Sequence, residues 1–450
     1  MKFTTQNPQK SLHLVSLGCT KNLVDSEVML GKLSDYTMTD DSATADVIIV
    51  NTCGFIDSAK EESINTILNL HDERKEQSVL VMAGCLSERY KEDLQKELPE
   101  IDVFTGVGDY DKIDELVNEK RSNFTNEVFL ANDTNERVIT GSSYHAYVKL
   151  SEGCNQACSF CAIPSFKGKL HSRTLESLVK EVKALVKKGF TDFSFVSQDS
   201  SSFLRDLGHK DGLEQLITEV DKIEGIKTSR ILYLYPSTTT LDLIDKIADS
   251  KIFQNYFDMP LQHITPSMLK IMKRGKGVEK LIELMDHMKS KPNSFVRTTF
   301  IAGHPGESIE DHEALCKYIE EYKFDRANVF SYSTEEGTHA AKSDHLIDQE
   351  IIDDRADEIG AIIANTTQES LEAEVGKTFD VYVDGESDEH EYLLSARKTI
   401  WAPDIDGEIY INDNELFEEN GDQTQLKFGQ IYTVTITELV GDKLIARVIK

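Results

Sequence analysis

The sequence predicts an α/β protein in three parts: an N-terminal parallel-sheet domain, a central partial (β/α)6 barrel and a small antiparallel β-barrel at the C-terminus. Short runs rich in Val, Ile and Leu alternate with segments of helical spacing through the first two parts, which is typical of parallel sheets covered by helices. From residue 375 onward the apolar period changes to two, which predicts short antiparallel strands. We therefore expect domains at 1–125, 143–374 and 375–450, with a polar linker over 118–143.

The 450-residue chain is acidic, with 49 Lys and Arg against 79 Asp and Glu and a formal net charge of −30. Such a surface repels the phosphates of nucleic acids and favours basic partners. No apolar run approaches the roughly 20 residues of a membrane-spanning helix, so we expect a cytoplasmic protein that has no membrane partner. The seven cysteines, an odd number, argue against a disulfide framework and favour metal or redox chemistry.

Three cysteines of the first domain each follow a predicted strand. The strands are expected over 12–17, 47–50 and 79–82, and just beyond them come Cys19, Cys53 and Cys85. Ligands of an open α/β sheet bind at the carboxyl ends of its strands. The three thiols should therefore converge on one edge of the sheet, although three unrelated buried cysteines would give the same pattern.

The second domain is expected to alternate six strands with amphipathic helices. Its predicted strands cover 144–150, 192–196, 230–235, 255–259, 296–301 and 327–331; its predicted helices include 175–188, 213–222 and 266–273, and a long helix over 348–374 closes the domain. Six βα units are fewer than the eight of a closed barrel, so the barrel should be partial. The C-terminal barrel is predicted from strands over 378–383, 391–396, 407–411, 432–439 and 443–449.

The strongest single motif is a Cys-x3-Cys-x2-Cys segment formed by Cys154, Cys158 and Cys161. It follows the first strand of the second domain, in a loop where barrel enzymes keep their chemistry. Three local thiolates can hold one face of a four-iron cluster, whereas a structural zinc site and ordinary electron-transfer clusters take four ligands. The spacing by itself leaves zinc binding and a ferredoxin-like role open. Cys316 lies in a helical segment far from the motif, and we interpret it as a core cysteine.

The motif, with the aromatic Phe160 before its last cysteine, resembles the signature of radical-SAM enzymes. The segments 16–27, 51–53 and 84–86 around the other three cysteines resemble the methylthiotransferase domain, and the C-terminal part resembles a TRAM domain. The resemblance implies a [4Fe–4S] cluster on the motif cysteines that binds and reductively cleaves S-adenosylmethionine. It also implies a second [4Fe–4S] cluster, on the three cysteines of the first domain, that handles the sulfur to be inserted.

The resemblance further implies contacts to S-adenosylmethionine within the barrel. Phe160, Ser197, Gln198 and Gly303 stand at the matching positions, and His304 replaces a residue that is commonly aromatic or aliphatic. For the polar residues at strand ends, ordinary turn or cap chemistry is the alternative explanation.

Other polar residues of the barrel receive structural interpretations. His263 is expected to be a hydrogen-bonded interior residue, with a catalytic role as the alternative, and Glu335 and Glu336 are expected in a solvated loop. No general base is predicted, so the catalytic side chains remain unknown and the predicted roles fall on the six cluster thiols.

Methylthiotransferases divide mainly between enzymes that modify an adenosine of transfer RNA and enzymes that modify a ribosomal protein. Residues 376–450 carry 7 Lys or Arg against 16 Asp or Glu, a net charge of −9 that disfavours RNA and suits a basic protein. The segments 21–27 and 258–263 also resemble the ribosomal-protein subfamily, the RimO type. That resemblance implies methylthio transfer to the β-carbon of an aspartate in small-subunit ribosomal protein twelve, with an electron donor such as flavodoxin or ferredoxin. The alternatives are a transfer-RNA methylthiotransferase and a non-enzymatic iron–sulfur protein.

Overall fold

A computed structural model describes residues 10–275, 277–418 and 423–450. Residues 1–9, with which the first predicted domain (1–125) begins, therefore lie outside the described residues. Within the described ranges the chain forms two parallel sheets and a closed β-barrel, and no helix there is long and apolar enough to cross a membrane. The predicted fold class is confirmed.

The N-terminal sheet is parallel throughout and has the strand order β2-β1-β3-β4-β5. Its strands are β1 (Ser11–Ser16), β2 (Thr37–Met38), β3 (Val47–Thr52), β4 (Val79–Gly84) and β5 (Val103–Phe104). Its helices are α1 (Thr20–Lys32), α2 (Asp57–Glu73), α3 (Cys85–Arg89), α4 (Lys91–Glu97) and α5 (Ile113–Glu119). Strands β3 and β4 are buried along their whole length, because apolar clusters cover both faces of the sheet.

The central domain is built on an open parallel sheet that runs β6-β9-β10-β11-β12-β13 from edge to edge. In chain order its strands are β6 (His145–Lys149), β7 (Ser151–Glu152), β8 (His171–Ser172), β9 (Asp192–Val196), β10 (Thr228–Ile231), β11 (Phe253–Asp258), β12 (Phe295–Ala302) and β13 (Arg326–Ser331), of which β7 and β8 pair only with each other. Its helices are α6 (Ile163–Phe166), α7 (Leu175–Lys187), α8 (Gly212–Val220), α9 (Leu241–Ala248), α10 (Pro266–Ile271), α11 (Val278–Lys289), α12 (Ile309–Tyr322) and α13 (Gln349–Glu372). The predicted partial barrel of six strands is confirmed.

The C-terminal domain is a closed barrel in the order β14-β15-β16-β18-β17. Its strands are β14 (Thr378–Glu386), β15 (Leu394–Lys398), β16 (Ile409–Asn414), β17 (Ile431–Val440) and β18 (Lys443–Val448). All neighbours are antiparallel except β16 and β18, which run parallel. A closed ring of five strands cannot alternate direction at every step, so one neighbouring pair must be parallel. The predicted small barrel is thus confirmed, with this one difference in strand direction.

One apolar cluster crosses all three domains. It includes Val24 and Val28 on α1, Tyr147 on β6 and Trp401 of the C-terminal barrel. Burial of a continuous apolar surface is the main force that holds such elements together. The C-terminal barrel is therefore packed against the other two domains rather than tethered to them.

Candidate active site

The three cysteines of the N-terminal domain meet at the carboxyl edge of its sheet. Cys19 precedes α1, Cys53 follows β3 and Cys85 begins α3. Gly18 packs so closely on Cys53 that a Cβ at this position would lie 2.9 Å from the Cys53 Sγ, and its φ of +84° also requires glycine. Burial, together with a smaller effect of the neighbouring thiols of the trio, raises the pKa of Cys53 to about 11 and that of Cys85 to about 12.

Three buried polar atoms on residues close in sequence to this first trio lack hydrogen-bond partners among the described residues. Thr20 Oγ1, Asn51 Oδ1 and Ser87 Oγ are buried and make no hydrogen bond within the part of the chain that the structure describes. Each belongs to a residue within two positions of one of the cysteines. Buried polar atoms normally find partners. Three converging thiols, with unpaired hydroxyls on the nearby residues Thr20 and Ser87, fit an iron–sulfur cluster, because the sulfurs of such clusters accept hydrogen bonds.

The motif cysteines lie in the loop between β7 and α6, at the carboxyl end of the first barrel strand. Gly153 opens this loop with a φ of +74°, and a Cβ there would lie 2.2 Å from the carbonyl oxygen of Lys169. Cys154 N donates a hydrogen bond to Gly168 O at 3.2 Å, which closes the loop. Burial raises the pKa of Cys154 and Cys161 to about 12. These thiols lose their protons when they bind a metal.

Two residues that the sequence analysis missed contact the middle cysteine of the motif. Arg274 Nη1 donates to Cys158 Sγ at 3.3 Å, and the Tyr235 hydroxyl lies 3.3 Å from the same sulfur. The guanidinium group also lies over the Tyr235 ring, 4.3 Å from its centroid. Groups that hydrogen-bond to a metal ligand orient it and tune the metal site. Neither residue has a sequence spacing that relates it to the motif, so no pattern could have identified them.

Phe160 and His304 meet beside the motif. Their rings pack edge to face with centroids 6.2 Å apart, and the Ser159 hydroxyl lies 2.9 Å from His304 Nε2. Burial lowers the pKa of His304 to about 4, so its ring is neutral at pH 7. His304 therefore supplies an uncharged aromatic surface at a position where an aromatic or aliphatic residue was expected.

The other three predicted cofactor contacts differ in the polar atoms that they leave available. Ser197 is fully buried, and its hydroxyl donates to Ser200 Oγ at 3.2 Å. Gly303 N donates to Glu307 Oε2 at 2.8 Å. Gln198 Nε2 donates to Glu152, whereas Gln198 Oε1 is buried without a partner among the described residues. The contacts of these residues with S-adenosylmethionine stay a prediction, and Gln198 has the available acceptor.

Known proteins match this chain along its whole length. The model of uncharacterized protein family UPF0004 matches residues 11–106, that of the radical SAM superfamily matches 148–319 and that of the TRAM domain matches 375–449. A ribosomal protein uS12 methylthiotransferase RimO of Aliarcobacter butzleri is 82% identical over 450 residues, which is 100% of each chain. The protein of the same name from Sulfurovum sp. is 64% identical over 442 residues, covering 98% of this chain and 99% of that one. This chain belongs to the RimO family of uS12 methylthiotransferases. The predicted radical-SAM methylthiotransferase family is thereby confirmed.

Solved structures of more distant relatives show the same fold. The radical S-adenosylmethionine methyltransferase TsrM from Kitasatospora setae, with tryptophan substrate and a SAM analogue bound, gives a TM-score of 0.51 at 15% identity, over 72% of this chain and 74% of that one. The same enzyme with cobalamin and a [4Fe–4S] cluster bound gives a TM-score of 0.50 at 14% identity, over 72% of this chain and 73% of that one. Membership in the radical SAM superfamily implies S-adenosylmethionine and one [4Fe–4S] cluster for this chain.

In this RimO family member a buried charge network joins the two thiol sites. Lys149 Nζ lies 2.5 Å from Asp25 Oδ1 and 2.7 Å from Glu152 Oε2, and Lys167 Nζ lies 3.4 Å from each of the same carboxylates. Two positive and two negative charges balance, which offsets the cost of burying them. Asp25 belongs to the helix that starts at the first trio, and Glu152 precedes the motif by two residues. The network therefore holds the two sites in a defined relative position.

The expectation of a solvated loop at 335–336 is wrong for Glu335. This residue is 2% exposed, and its carboxylate lies 2.6 Å from Arg89 Nη1 and 3.0 Å from Lys60 Nζ. Both partners belong to the N-terminal domain, so the loop docks one domain on the other. The charge was visible in the sequence, but the Arg89 partner is 246 residues away.

The structural interpretations of His263 and Cys316 agree with their contacts. His263 is fully buried; its Nδ1 accepts from Ile264 N at 2.9 Å, and its Nε2 lies 3.1 Å from Glu307 Oε1. Cys316 lies in the apolar core of the barrel, with its Sγ 3.6 Å from His312 Nε2.

Proposed function

We propose that this chain is a radical-SAM enzyme of the cytoplasm that attaches a methylthio group to the β-carbon of an aspartate in ribosomal protein uS12. The observation that carries the proposal is the 82% identity, over the full length of both chains, to a protein named as a uS12 methylthiotransferase. The two separate thiol sites support it, because methylthio insertion needs both hydrogen-atom removal and a source of sulfur.

Each cysteine trio would hold one cluster. The residues are Cys154, Cys158 and Cys161 for the [4Fe–4S] cluster that binds S-adenosylmethionine, and Cys19, Cys53 and Cys85 for a second [4Fe–4S] cluster. When bound, these groups would supply hydrogen-atom abstraction at the motif cysteines and sulfur at Cys19, Cys53 and Cys85, and a second S-adenosylmethionine would supply the methyl group. Abstraction of a hydrogen atom suits this substrate, because the β-carbon hydrogen of an aspartyl residue is too weakly acidic for easy removal by a general base.

The protein's own side chains position these groups. Arg274 and Tyr235 hold the Cys158 sulfur, and Gln198 Oε1 is a buried acceptor suited to the amino group of S-adenosylmethionine. Phe160 offers ring surface beside the motif, and the buried His304 ring packs against it.

A basic protein substrate is favoured by charge. A groove of about 510 Å³ lies where the C-terminal barrel meets the other domains. Carboxylates outnumber cations in its lining: Asp388 and Asp404 stand beside Asp384 and Glu408, which pair with Arg397 and Lys443. Acidic grooves attract basic proteins and repel phosphate backbones. The reductant that we propose is a flavodoxin or a ferredoxin.

The test of this function is anaerobic reconstitution followed by turnover with S-adenosylmethionine, a reductant and sulfide. One tube contains uS12, another contains unmodified transfer RNA, and both are analysed by mass spectrometry. Methylthio mass on an aspartate of uS12 is the expected result. Methylthio mass on the RNA would retain the enzyme class and refute the substrate, and no cleavage of S-adenosylmethionine would refute the enzyme.

Cysteine variants separate the two sites. The triple Ala variant of the motif cysteines should lose reductive cleavage of S-adenosylmethionine. The triple Ala variant of the first trio should keep cleavage and lose methylthio insertion. Cys316→Ala is the matched control, because this cysteine lies in the barrel core, and it should retain both reactions. Sulfur insertion without the first trio would contradict the assignment of a second cluster.

A further inference from the structure

Lys21 places a positive charge between the two thiol sites. It lies on α1, two residues after Cys19, and its Nζ is 3.5 Å from the centroid of the Tyr233 ring. Tyr233 follows β10, and two residues further along the same segment the Tyr235 hydroxyl lies 3.3 Å from Cys158 Sγ. One strand-end segment therefore contacts a group beside the first trio and a thiol of the motif.

The ammonium group of Lys21 has no carboxylate partner among the described residues. No Asp or Glu oxygen of the described residues lies within 4.0 Å of Lys21 Nζ, although the side chain is only partly exposed. The buried Lys149, by contrast, lies close to two carboxylates. Asp258, in the surroundings of Lys21, already pairs with Arg297 at 3.0 Å. An ammonium group that has no ion-pair partner among the described residues can take a ligand carboxylate as its counter-charge.

The partner of Lys21 is held in an unusual conformation. Tyr233 has a φ of +64°, in the left-handed region that non-glycine residues rarely adopt. Two hydrogen bonds hold it there: Tyr233 N donates to Asp258 Oδ2 at 3.0 Å, and Ser200 N donates to Tyr233 O at 2.9 Å. Residues kept in such conformations by their surroundings cluster at ligand sites. The backbone thus presents the ring on which the ammonium group rests.

We propose that Lys21 binds the side-chain carboxylate of the substrate aspartate, with Tyr233 as a positioning residue that holds the ammonium group. This inference rests on the proposed function, in which the β-carbon of that aspartate must be accessible to both thiol sites. The carboxyl carbon is bonded directly to the β-carbon, so the carboxylate must occupy the same space between the sites. A charge-assisted hydrogen bond from Lys21 would orient the β-carbon. An adenosine has no carboxylate, so this contact selects an aspartyl substrate.

The test measures binding of two forms of uS12, one with the target aspartate and one with asparagine in its place. The enzymes are the reconstituted wild-type holoenzyme, Lys21→Met and Lys32→Met; Lys32 is an exposed lysine on the same helix and serves as the matched control. Binding is followed anaerobically by fluorescence anisotropy of labelled uS12. Iron content and cleavage of S-adenosylmethionine without uS12 are measured on the same samples.

We expect the wild type and Lys32→Met to bind the aspartate form about 10-fold more tightly than the asparagine form, because a hydrogen bond between charged groups is replaced by a weaker one. Lys21→Met should bind both forms equally and should keep its iron. Lys21→Arg retains the charge and should retain a preference for the aspartate form.

A preference in Lys21→Met equal to that of the wild type would overturn the inference while leaving the proposed function in place. Loss of iron in Lys21→Met would point to a structural role, and Lys21→Gln then takes its place. The ratio of the two affinities is measured within one variant and does not depend on the active fraction. A wild-type enzyme that neither binds nor modifies uS12 would refute the proposed function itself, and the inference with it.

Discussion

Asp192 joins the central domain to the C-terminal barrel through two arginines. It is fully buried on β9; its Oδ1 accepts from Arg230 Nη2 at 2.8 Å and from Thr228 Oγ1 at 2.5 Å, and its Oδ2 accepts from Arg397 Nη2 at 2.6 Å. Arg397 belongs to β15, so this last contact crosses the domain interface. Asp192→Asn keeps the shape of the side chain and removes its charge.

The size of the effect follows from these contacts. Whichever oxygen becomes the amide nitrogen, that atom faces an arginine donor and can no longer accept a hydrogen bond. A hydrogen bond to a charged group contributes about 1.5–3 kcal/mol, and loss of one partner of a buried ion pair costs about 3–5 kcal/mol. Arg397 keeps a second carboxylate, Asp384, at 3.2 Å. We therefore expect Asp192→Asn to lower the free energy of unfolding by about 3 kcal/mol, the lower end of that range.

The single tryptophan of the chain reports on this interface. Trp401 is 3% exposed, and its carbonyl oxygen accepts from Arg397 Nη1 at 2.8 Å. Urea unfolding followed by tryptophan fluorescence under anaerobic conditions should show a lower midpoint for Asp192→Asn. Asp211→Asn, at an exposed position of the same domain, is the control. A midpoint shift no larger than that of the control would refute the reasoning.

The same contacts predict a pH dependence. Burial opposes ionisation of Asp192, but the two arginines outweigh it and hold the pKa of Asp192 well below its usual range. Because the folded pKa lies below the unfolded value of about 3.9, the contribution to stability is complete above that value. It is lost as the pH falls from there through the folded pKa. Asp192→Asn should therefore flatten the acid side of the stability profile.

Three further perturbations test other parts of the site. Arg274→Met should lower iron retention at the motif about 10-fold or more, whereas Lys273→Met, at the exposed neighbouring position, should not; equal iron in both would contradict the role of the arginine. Gln198→Leu should weaken S-adenosylmethionine binding in calorimetry without loss of iron, and unchanged affinity would exclude this acceptor. Glu335→Gln should speed amide hydrogen exchange in residues 333–338, because it removes the charge that docks this loop; exchange like that of the wild type would show that the ion pairs are dispensable.

Much of the architecture could be predicted because it depends on local pattern. The buried strands β3 and β4 are continuous apolar runs in the sequence. The cysteines that follow strands could be assigned to the carboxyl edge of the sheet. The motif cysteines lie within eight consecutive residues, so their spacing was visible in the chain. The parallel pair in the C-terminal barrel was not predicted, because it follows from closure of the ring rather than from any one strand.

The sequence by itself determined the three-part fold, the two cysteine trios and the family, because hydrophobic periodicity, cysteine spacing and the residues of a motif are properties of short segments. Only the tertiary structure decided which polar side chains serve those trios. Arg274 reaches Cys158 across 116 residues, and Lys149 reaches Asp25 across 124. The sequence predicted a solvated Glu335, because the burial of this residue depends on how two domains dock and no local pattern shows that. The physical reason is that burial and partner choice arise from packing between distant segments, which no local pattern records.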